Sequence, residues 1–382
     1  MRSIYFILVL VLLSINEFQA QTHDISKFKN TIQIKLDSIY NKDIDFGGAT
    51  IGIILPDGRE CGFAVGYANI AKKTKMKPED RMLGGSTGKI FVSTSIMQLA
   101  DKGQLKLDDN ISKYLGDLEW FDRLQNHERL TIRNLMQHTS GISRYVFVEQ
   151  FQIDIHKNPD RKWQPSELIS YVLDIEPLFE TGTDFAYSDT NYILLAMILE
   201  NVSKTTMYNY VDANILKPNK LTRISPQINR KIKGLVVGYN KQDDEFYPGI
   251  VIENGVYKYN VQFEWAGGGF IMNVMDLAKA GKLIYENKLF STSLNQDFYN
   301  GIDAKQLGGK WGLGVHIKET PVGLSYGHSG FFPGYVTDML YFPDYEFSIA
   351  IQVNTSEGKN LRLYGKIHRI IPAIIEELKQ YD

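Results

Sequence analysis

Strand-forming residues gather at the two ends of this chain and helical periodicity fills its middle, a distribution that limits the fold more than any other feature. Near the start, Ala49–Leu55 and Glu60–Tyr67 are β-rich runs on either side of Pro56-Asp57-Gly58, which reads as a hairpin. Near the end, Trp311–Ile317, Val336–Phe342 and Phe347–Val353 carry the same signal, with Pro343-Asp344 as a turn between the last two. An amphipathic helix is expected over Leu361–Lys379. Between these ends, helix signals recur at Thr131–His138, Pro165–Leu173 and Asn191–Val202. Hairpins give antiparallel neighbours, and the chain shows no internal repeat, low-complexity tract or flexible linker, so both ends are expected to build one sheet. The expected fold is α/β of the α+β kind, an antiparallel sheet flanked by helices. Residues 21–80 and 265–382 would form a discontinuous sheet domain, and residues 81–264 a mainly helical insertion.

Charge and leader narrow the function classes. The formal net charge is −2 over 382 residues, and no long run of Lys and Arg is present, so nucleic acid is not an expected partner. Met1-Arg2-Ser3, the apolar stretch Ile4–Leu13 and Phe18-Gln19-Ala20 have the layout of a secretory signal peptide over residues 1–20, with cleavage expected after Ala20. A periplasmic or secreted protein is therefore expected, touching membrane only through the targeting segment, because the apolar run is short for a span. Cys61 is the only cysteine, which excludes an intramolecular disulfide and a cysteine-rich zinc site. The histidines make no His-Glu-x-x-His pattern, so neither a metal nor an organic cofactor is expected. A small molecule or short peptide is the expected partner, and the sequence does not specify an oligomeric state.

One segment carries chemistry. From Gly84 to Lys102 the positions Ile90, Val92, Ile96, Met97 and Leu99 describe a helix apolar around much of its surface, hence buried, with Gly103 placed to end it. At its start stands Gly84-Gly85-Ser86-Thr87-Gly88-Lys89, where Ser86 and Lys89 are three apart on one helix face. A serine hydroxyl needs a base to become a nucleophile, and a lysine amine can serve if burial leaves it neutral. The unpaired N–H groups of a first helical turn can also hold a developing oxyanion. Two other readings fit the same residues. Gly-x-Ser-x-Gly is the nucleophile elbow of α/β-hydrolases, which needs a preceding strand where Lys77–Arg81 reads as a loop. The plainer reading is a helix cap beside a solvated lysine.

Two further motifs stand with this one: Tyr187-Ser188-Asp189 ahead of a helix and His328-Ser329-Gly330 ahead of a strand. Together with Leu130–Ile142, Ala266-Gly267-Gly268 followed by Asp276-Leu277, and Trp311-Gly312-Leu313-Gly314-Val315, they give a chain that resembles the serine β-lactamase and DD-peptidase superfamily. The resemblance is to the class C-like branch, with its penicillin-binding proteins, D-aminopeptidases and esterases, and it covers nearly the whole mature chain. It implies that Ser86 is acylated, that Lys89 is its base, and that Tyr187 moves a proton to the leaving group and helps activate water. It places the backbone N–H groups of Ser86 and Phe331 as an oxyanion hole and Asp189, His328 and Gly330 at the substrate. Asp189 departs from the usual asparagine of that motif; an ionised aspartate only accepts hydrogen bonds and favours a charged Lys89. His328 stands where β-lactamases carry lysine, a weaker anchor for a substrate carboxylate. The resemblance implies an exported hydrolase of amides or esters, acting on D-amino-acid-containing peptides or acyl esters. A β-lactamase and a non-catalytic penicillin- or peptidoglycan-binding sensor are the alternatives. Phe331, Phe332, Tyr326, Tyr335 and Trp265 are expected either to wall the cleft or to fill the core.

Overall fold

A computed structural model describes residues 25–40, 47–245, 248–356 and 365–379. The chain falls into two compact units, one of residues 47–361 and one of residues 1–46 with 362–382. The candidate leader and its cleavage point lie outside the described residues. Among the described residues no helix is long and apolar enough to cross a membrane.

The larger unit is built on nine strands: β1 (Gly48–Ile54), β2 (Glu60–Asn69), β3 (Thr74–Lys75), β4 (Ile302–Asp303), β5 (Lys310–Trp311), β6 (His316–Thr320), β7 (Gly323–Phe332), β8 (Tyr335–Phe342) and β9 (Phe347–Val353). Their order across the sheet is β3-β2-β1-β9-β8-β7-β6-β5-β4. Every pairing in it is antiparallel. The join between the two ends of the chain is the β1–β9 pairing, which sets Ile51 opposite Ile351 and Ile53 opposite Ile349. β1 and β9 are buried along their whole length, as a continuous apolar run in a covered central strand should be. A helix, Val274–Tyr285, packs on β1, β8 and β9. Gly52 lets it come close, since a Cβ there would stand 2.4 Å from the Val274 carbonyl oxygen.

Two strand readings need correction. Trp311–Ile317 is not one strand: the chain reverses at Gly312–Val315, so that Trp311 on β5 pairs with His316 on β6. Gly314, at φ +82°, makes that reversal possible, and a side chain there would strike the Ser93 hydroxyl. His328-Ser329-Gly330 does not precede a strand but lies inside β7, whose strand signal is broken by its glycines. Of the expected terminal helix, residues 361–364 lie outside the described residues; from 365 the chain is helical, through a tighter turn at His368–Ile370 and on to Ile371–Leu378.

Between the sheet segments lie the helices that carry the site: α1 (Lys89–Asp101), α2 (Ile132–Met136) and α3 (Asp189–Ser203). α1 buries every residue from Lys89 to Leu99, as its all-round apolar surface requires. Fully burying a side chain such as Phe91 or Leu99 contributes roughly 1.5–3 kcal/mol, and a polar Lys89 among them must find partners. α2 starts in a reciprocal cap, with the Asn134 N–H donating to the Thr131 hydroxyl and the Thr131 N–H donating to the Asn134 side-chain carbonyl. A small antiparallel sheet of Met82–Leu83, Phe270–Met272 and Ser225–Pro226 leads the chain into the turn that holds Ser86. This short strand is antiparallel, unlike the strand ahead of an α/β-hydrolase elbow.

Candidate active site

Ser86 lies in the single helical turn Gly85–Gly88, immediately before α1 begins at Lys89. Close approach of backbone shapes this turn. Gly85 sits at φ +52°, and a Cβ there would lie 2.6 Å from the Phe331 carbonyl oxygen. From the other side, a Cβ on Gly330 would lie 2.0 Å from the Gly84 carbonyl oxygen and 2.6 Å from the Thr87 hydroxyl. Glycine at both places lets β7 run directly against the nucleophile turn, bringing Phe331 to the side of Ser86.

Lys89 is wholly buried and donates to three acceptors: the Ser86 hydroxyl at 2.9 Å, Asp189 Oδ1 at 2.6 Å and the Gly267 carbonyl. An ammonium has three donors, so all are used. The aspartate is shared. Its other oxygen, Oδ2, accepts from Arg144 Nε at 2.9 Å and Nη2 at 2.7 Å. These two cations overcome the burial of the Asp189 carboxyl and hold it well below the usual carboxylate range. Arg144 escaped the sequence reading, although the second oxygen of a buried aspartate paired with lysine needs hydrogen-bond donors of its own. The pattern could not say which residue supplies them.

Hydrogen bonds between the 138–145 loop and the start of α3 place Arg144. The Thr190 hydroxyl donates to the Ser143 carbonyl at 2.7 Å and accepts from the Tyr145 N–H at 3.1 Å. The Ser140 hydroxyl donates to the Asn191 side-chain carbonyl at 2.7 Å. Buried His138 receives the Ser188 N–H on Nδ1 at 3.2 Å. Burial and Lys89 lower its pKa well below the ordinary histidine value. His138-Thr139-Ser140 is thus a brace for the tyrosine motif.

Tyr187 comes in against this cluster. The Lys89 ammonium lies 5.1 Å from its ring centroid and the Arg144 guanidinium 5.3 Å. Its hydroxyl is buried without a hydrogen bond of good geometry. Burial and the Asp189 charge push the phenol well above its ordinary value, against the opposing pull of Ser86 and Arg144. Ammonium proximity alone would have eased its ionisation; desolvation outweighs that effect here.

His328 does not reach the substrate side. It is 2 % exposed, its Nδ1 faces the Ser329 carbonyl at 2.7 Å, and its ring lies 5.2 Å from that of Trp311. Burial, helped by the Lys89 charge, lowers its pKa to about 3, so it is neutral at pH 7 and offers no charge to a carboxylate. His328 is not among the residues that line the cavity at Ser86.

Ser86 opens into a cavity of about 180 Å³ that Arg144, Asp189, Gly267, Phe331 and Phe332 also line. Phe331 and Phe332 are therefore cleft walls, whereas Trp265 and Tyr335 are buried in the core. Glu264 lines the cavity as well and was missed, since a carboxylate between Phe263 and Trp265 has no local signature. Burial pushes its pKa up to about 8, against the pull of Lys89 and of the Gln227 amide that donates to it at 3.0 Å. Trp265 follows at φ +38°, a strained value for a non-glycine residue, and this kink separates Glu264 in the cavity wall from Gly267 at Lys89.

Protein flp from Staphylococcus aureus (strain N315) is 30% identical over 221 residues, 57% of this chain and 43% of that protein. The chain thus spans less than half the length of that relative. Putative penicillin-binding protein PbpX from Bacillus subtilis (strain 168) is 25% identical over 307 residues, covering 78% of this chain and 68% of that protein. The fold matches D-amino acid amidase from Ochrobactrum anthropi SV3 with a TM-score of 0.78 at 19% identity, covering 93% of this chain and 99% of that one. It also matches a D-stereospecific amidohydrolase from Streptomyces sp., with a TM-score of 0.73 at 22% identity over 86% and 94% of the two chains. The family model described as Beta-lactamase matches residues 37–369, a span that contains the Ser86 turn, the tyrosine motif and β7, and the chain belongs to the Beta-lactamase family.

Proposed function

We propose that this protein is an exported serine hydrolase that forms an acyl-enzyme on Ser86 and cleaves amide or ester bonds, in D-amino-acid-containing peptides or acyl esters. The observation that carries the reading is the hydrogen bond from buried Lys89 to the Ser86 hydroxyl, in the wall of a cavity with apolar sides. The fold shared with D-amino acid amidases supports amides among the substrates.

Lys89 stands in its fully donating form beside Asp189, so the attacking state is the one in which the Lys89–Tyr187 pair has lost a proton. Ser86 Oγ then attacks the carbonyl carbon while its proton passes to that pair. The oxyanion is held by the backbone N–H groups of Ser86 and Phe331. As the carbon–nitrogen or carbon–oxygen bond breaks, the pair returns the proton to the leaving group through Tyr187. Water repeats the sequence on the ester of Ser86, releasing the acid and restoring the hydroxyl. Gly330 serves by letting β7 approach, and Asp189 acts through Lys89. Residues 1–20 direct export, and the protein works in the periplasm or outside the cell.

The test is labelling with a fluorescent penicillin or a fluorophosphonate followed by mass mapping. Label on Ser86, lost in Ser86→Ala, is expected; label that persists in that variant removes the nucleophile. One observation favours a second reading: a carboxylate, Asp189, lies 2.6 Å from the Lys89 nitrogen, an arrangement that suits a binding protein that does not turn over. Ligand binding with no turnover of esters, D-amino-acid anilides or β-lactams would favour that sensor.

A further inference from the structure

We infer that Arg144 anchors an anionic group of the substrate, within reach of the bond that Ser86 attacks, and so sets the specificity of this site. The inference takes the hydrolase reading for the bond that is cut, but not for the binding preference itself.

Four observations carry it. Arg144 lines the same small cavity as Ser86, with its side chain 31% exposed, whereas Lys89 is wholly buried behind it. Its Nε and Nη2 are held by Asp189, while Nη1 has no hydrogen-bond partner among the described residues. The guanidinium is thus fixed in orientation with donor capacity to spare, which is how a carboxylate or phosphate is best met. The sheet side offers no rival, because His328 is buried and outside the cavity lining.

The charge balance points the same way. Lys89 and Arg144 oppose the one ionised carboxylate of Asp189, and Glu264, pushed up to about 8, is mainly protonated at pH 7. A net positive charge remains, and Arg144 is where it meets the cavity. The walls add an apolar demand. Phe147 lies under the guanidinium at 4.2 Å and is 70% exposed, and Phe331 is 56% exposed at the same cavity. The ligand class that fits is a small acyl or peptidyl compound with an apolar group and a carboxylate within about one residue of the scissile carbonyl.

Binding and turnover separate the parts of this idea. Calorimetry on the Ser86→Ala protein compares benzoylglycyl thioglycolate, which ends in a carboxylate, with its carboxamide and with cationic D-phenylalanine amide. The carboxylate should bind about tenfold more tightly than the carboxamide or better, as a charge-assisted hydrogen bond would give. Adding Arg144→Gln should abolish that ratio, and Arg144→Lys should restore part of it. A kcat/KM ratio for the two thioesters, measured with Ser86 intact, should follow the same order. A substitution that acted only through Asp189 and Lys89 would depress both thioesters alike and leave their ratio in place. Equal binding of carboxylate and carboxamide, a ratio that survives Arg144→Gln, or tighter binding of the ammonium ligand would overturn the inference. If Arg144→Gln does not fold, Arg144→Gln with Asp189→Asn removes both charges and carries the same comparison. Failure of the hydrolase reading looks different: no turnover of any thioester, with the binding preference intact.

Discussion

Replacing Asp189 by asparagine should move the acid limb of the activity profile to lower pH, and the structure allows the size to be bounded. Asp189 Oδ1 is 2.6 Å from the Lys89 ammonium. At an effective dielectric of about 20, that contact is worth about 6 kcal/mol of attraction, a ceiling because an amide in its place still hydrogen-bonds. The expected outcome is the direction of the movement, with a size below that ceiling. Arg144 sharpens the prediction. In Asp189→Asn it becomes an unpaired cation next to Lys89 and helps drive the proton off, whereas Arg144→Met leaves Asp189 to Lys89 alone and should move the acid limb up. The double variant should lie between the two singles, because each change removes what the other leaves uncompensated. Breaking a buried pair on one side costs about 3–5 kcal/mol, so the double variant should also melt higher than either single. The assay is kcat/KM for a thioester or p-nitrophenyl ester from pH 5 to 10, beside thermal melts of all four proteins. An acid limb at the same pH in wild type and both singles would refute the claim that the Asp189 carboxylate controls the proton on Lys89.

Three further outcomes follow from the same cluster. Glu264 has its pKa raised to about 8 from 4.5, so the folded protein binds an extra proton between those values. Stability should therefore fall as pH rises from about 4.5 through about 8, by an amount on the order of a few kcal/mol, and Glu264→Gln should flatten that slope in pH-dependent melts. His328 has the opposite sign: its pKa is lowered from 6.5 to about 3, so stability should be lost as pH falls through that window. His328→Asn should reduce the acid sensitivity by roughly 2–4 kcal/mol, read by denaturant titration at pH 4 and pH 7. Gly330→Ala forces a Cβ to within 2.0 Å of the Gly84 carbonyl oxygen, which should cost about 1–3 kcal/mol and displace the Ser86 turn, read as reduced penicillin labelling of a folded protein.

Features that local pattern encodes were legible in the sequence. The Phe347–Val353 strand was read to the residue, and the Glu60–Tyr67 run fell short by only two positions, because alternating or continuous apolar runs bounded by turn residues have few other uses. Helical spacing puts Ser86 and Lys89 within reach of each other, but it was the resemblance carried by the Tyr187 and His328 motifs that singled them out. β7 was hidden, since Gly323, Gly327 and Gly330 break its strand signal, yet at Gly330 the missing side chain is what the nucleophile turn requires. Arg144 and Glu264 were out of reach for a different reason. Arg144 meets Asp189 45 positions along the chain and Glu264 meets Gln227 37 positions away, and nothing in their own neighbourhoods records either contact.

Asp189 read from sequence alone is an acid where an amide is usual, expected to favour a charged Lys89 and to shift more of the proton transfer to Tyr187. The structure changes the terms of that argument. A carboxylate held from one side by Lys89 and from the other by Arg144 is not free to satisfy Lys89 alone, so the motif's third position has to be judged together with a residue on another loop. Arg144 offsets part of the Asp189 charge from the far side of the carboxylate, on Oδ2, while Oδ1 stays with Lys89. The exchange of amide for acid therefore does not have to remove the chemistry of Ser86; it adds a half-exposed guanidinium to the wall of the cavity. A substitution that looks conservative for catalysis can in this way relocate the positive charge of a site from its sheet side, where His328 is buried and neutral, to its helical side.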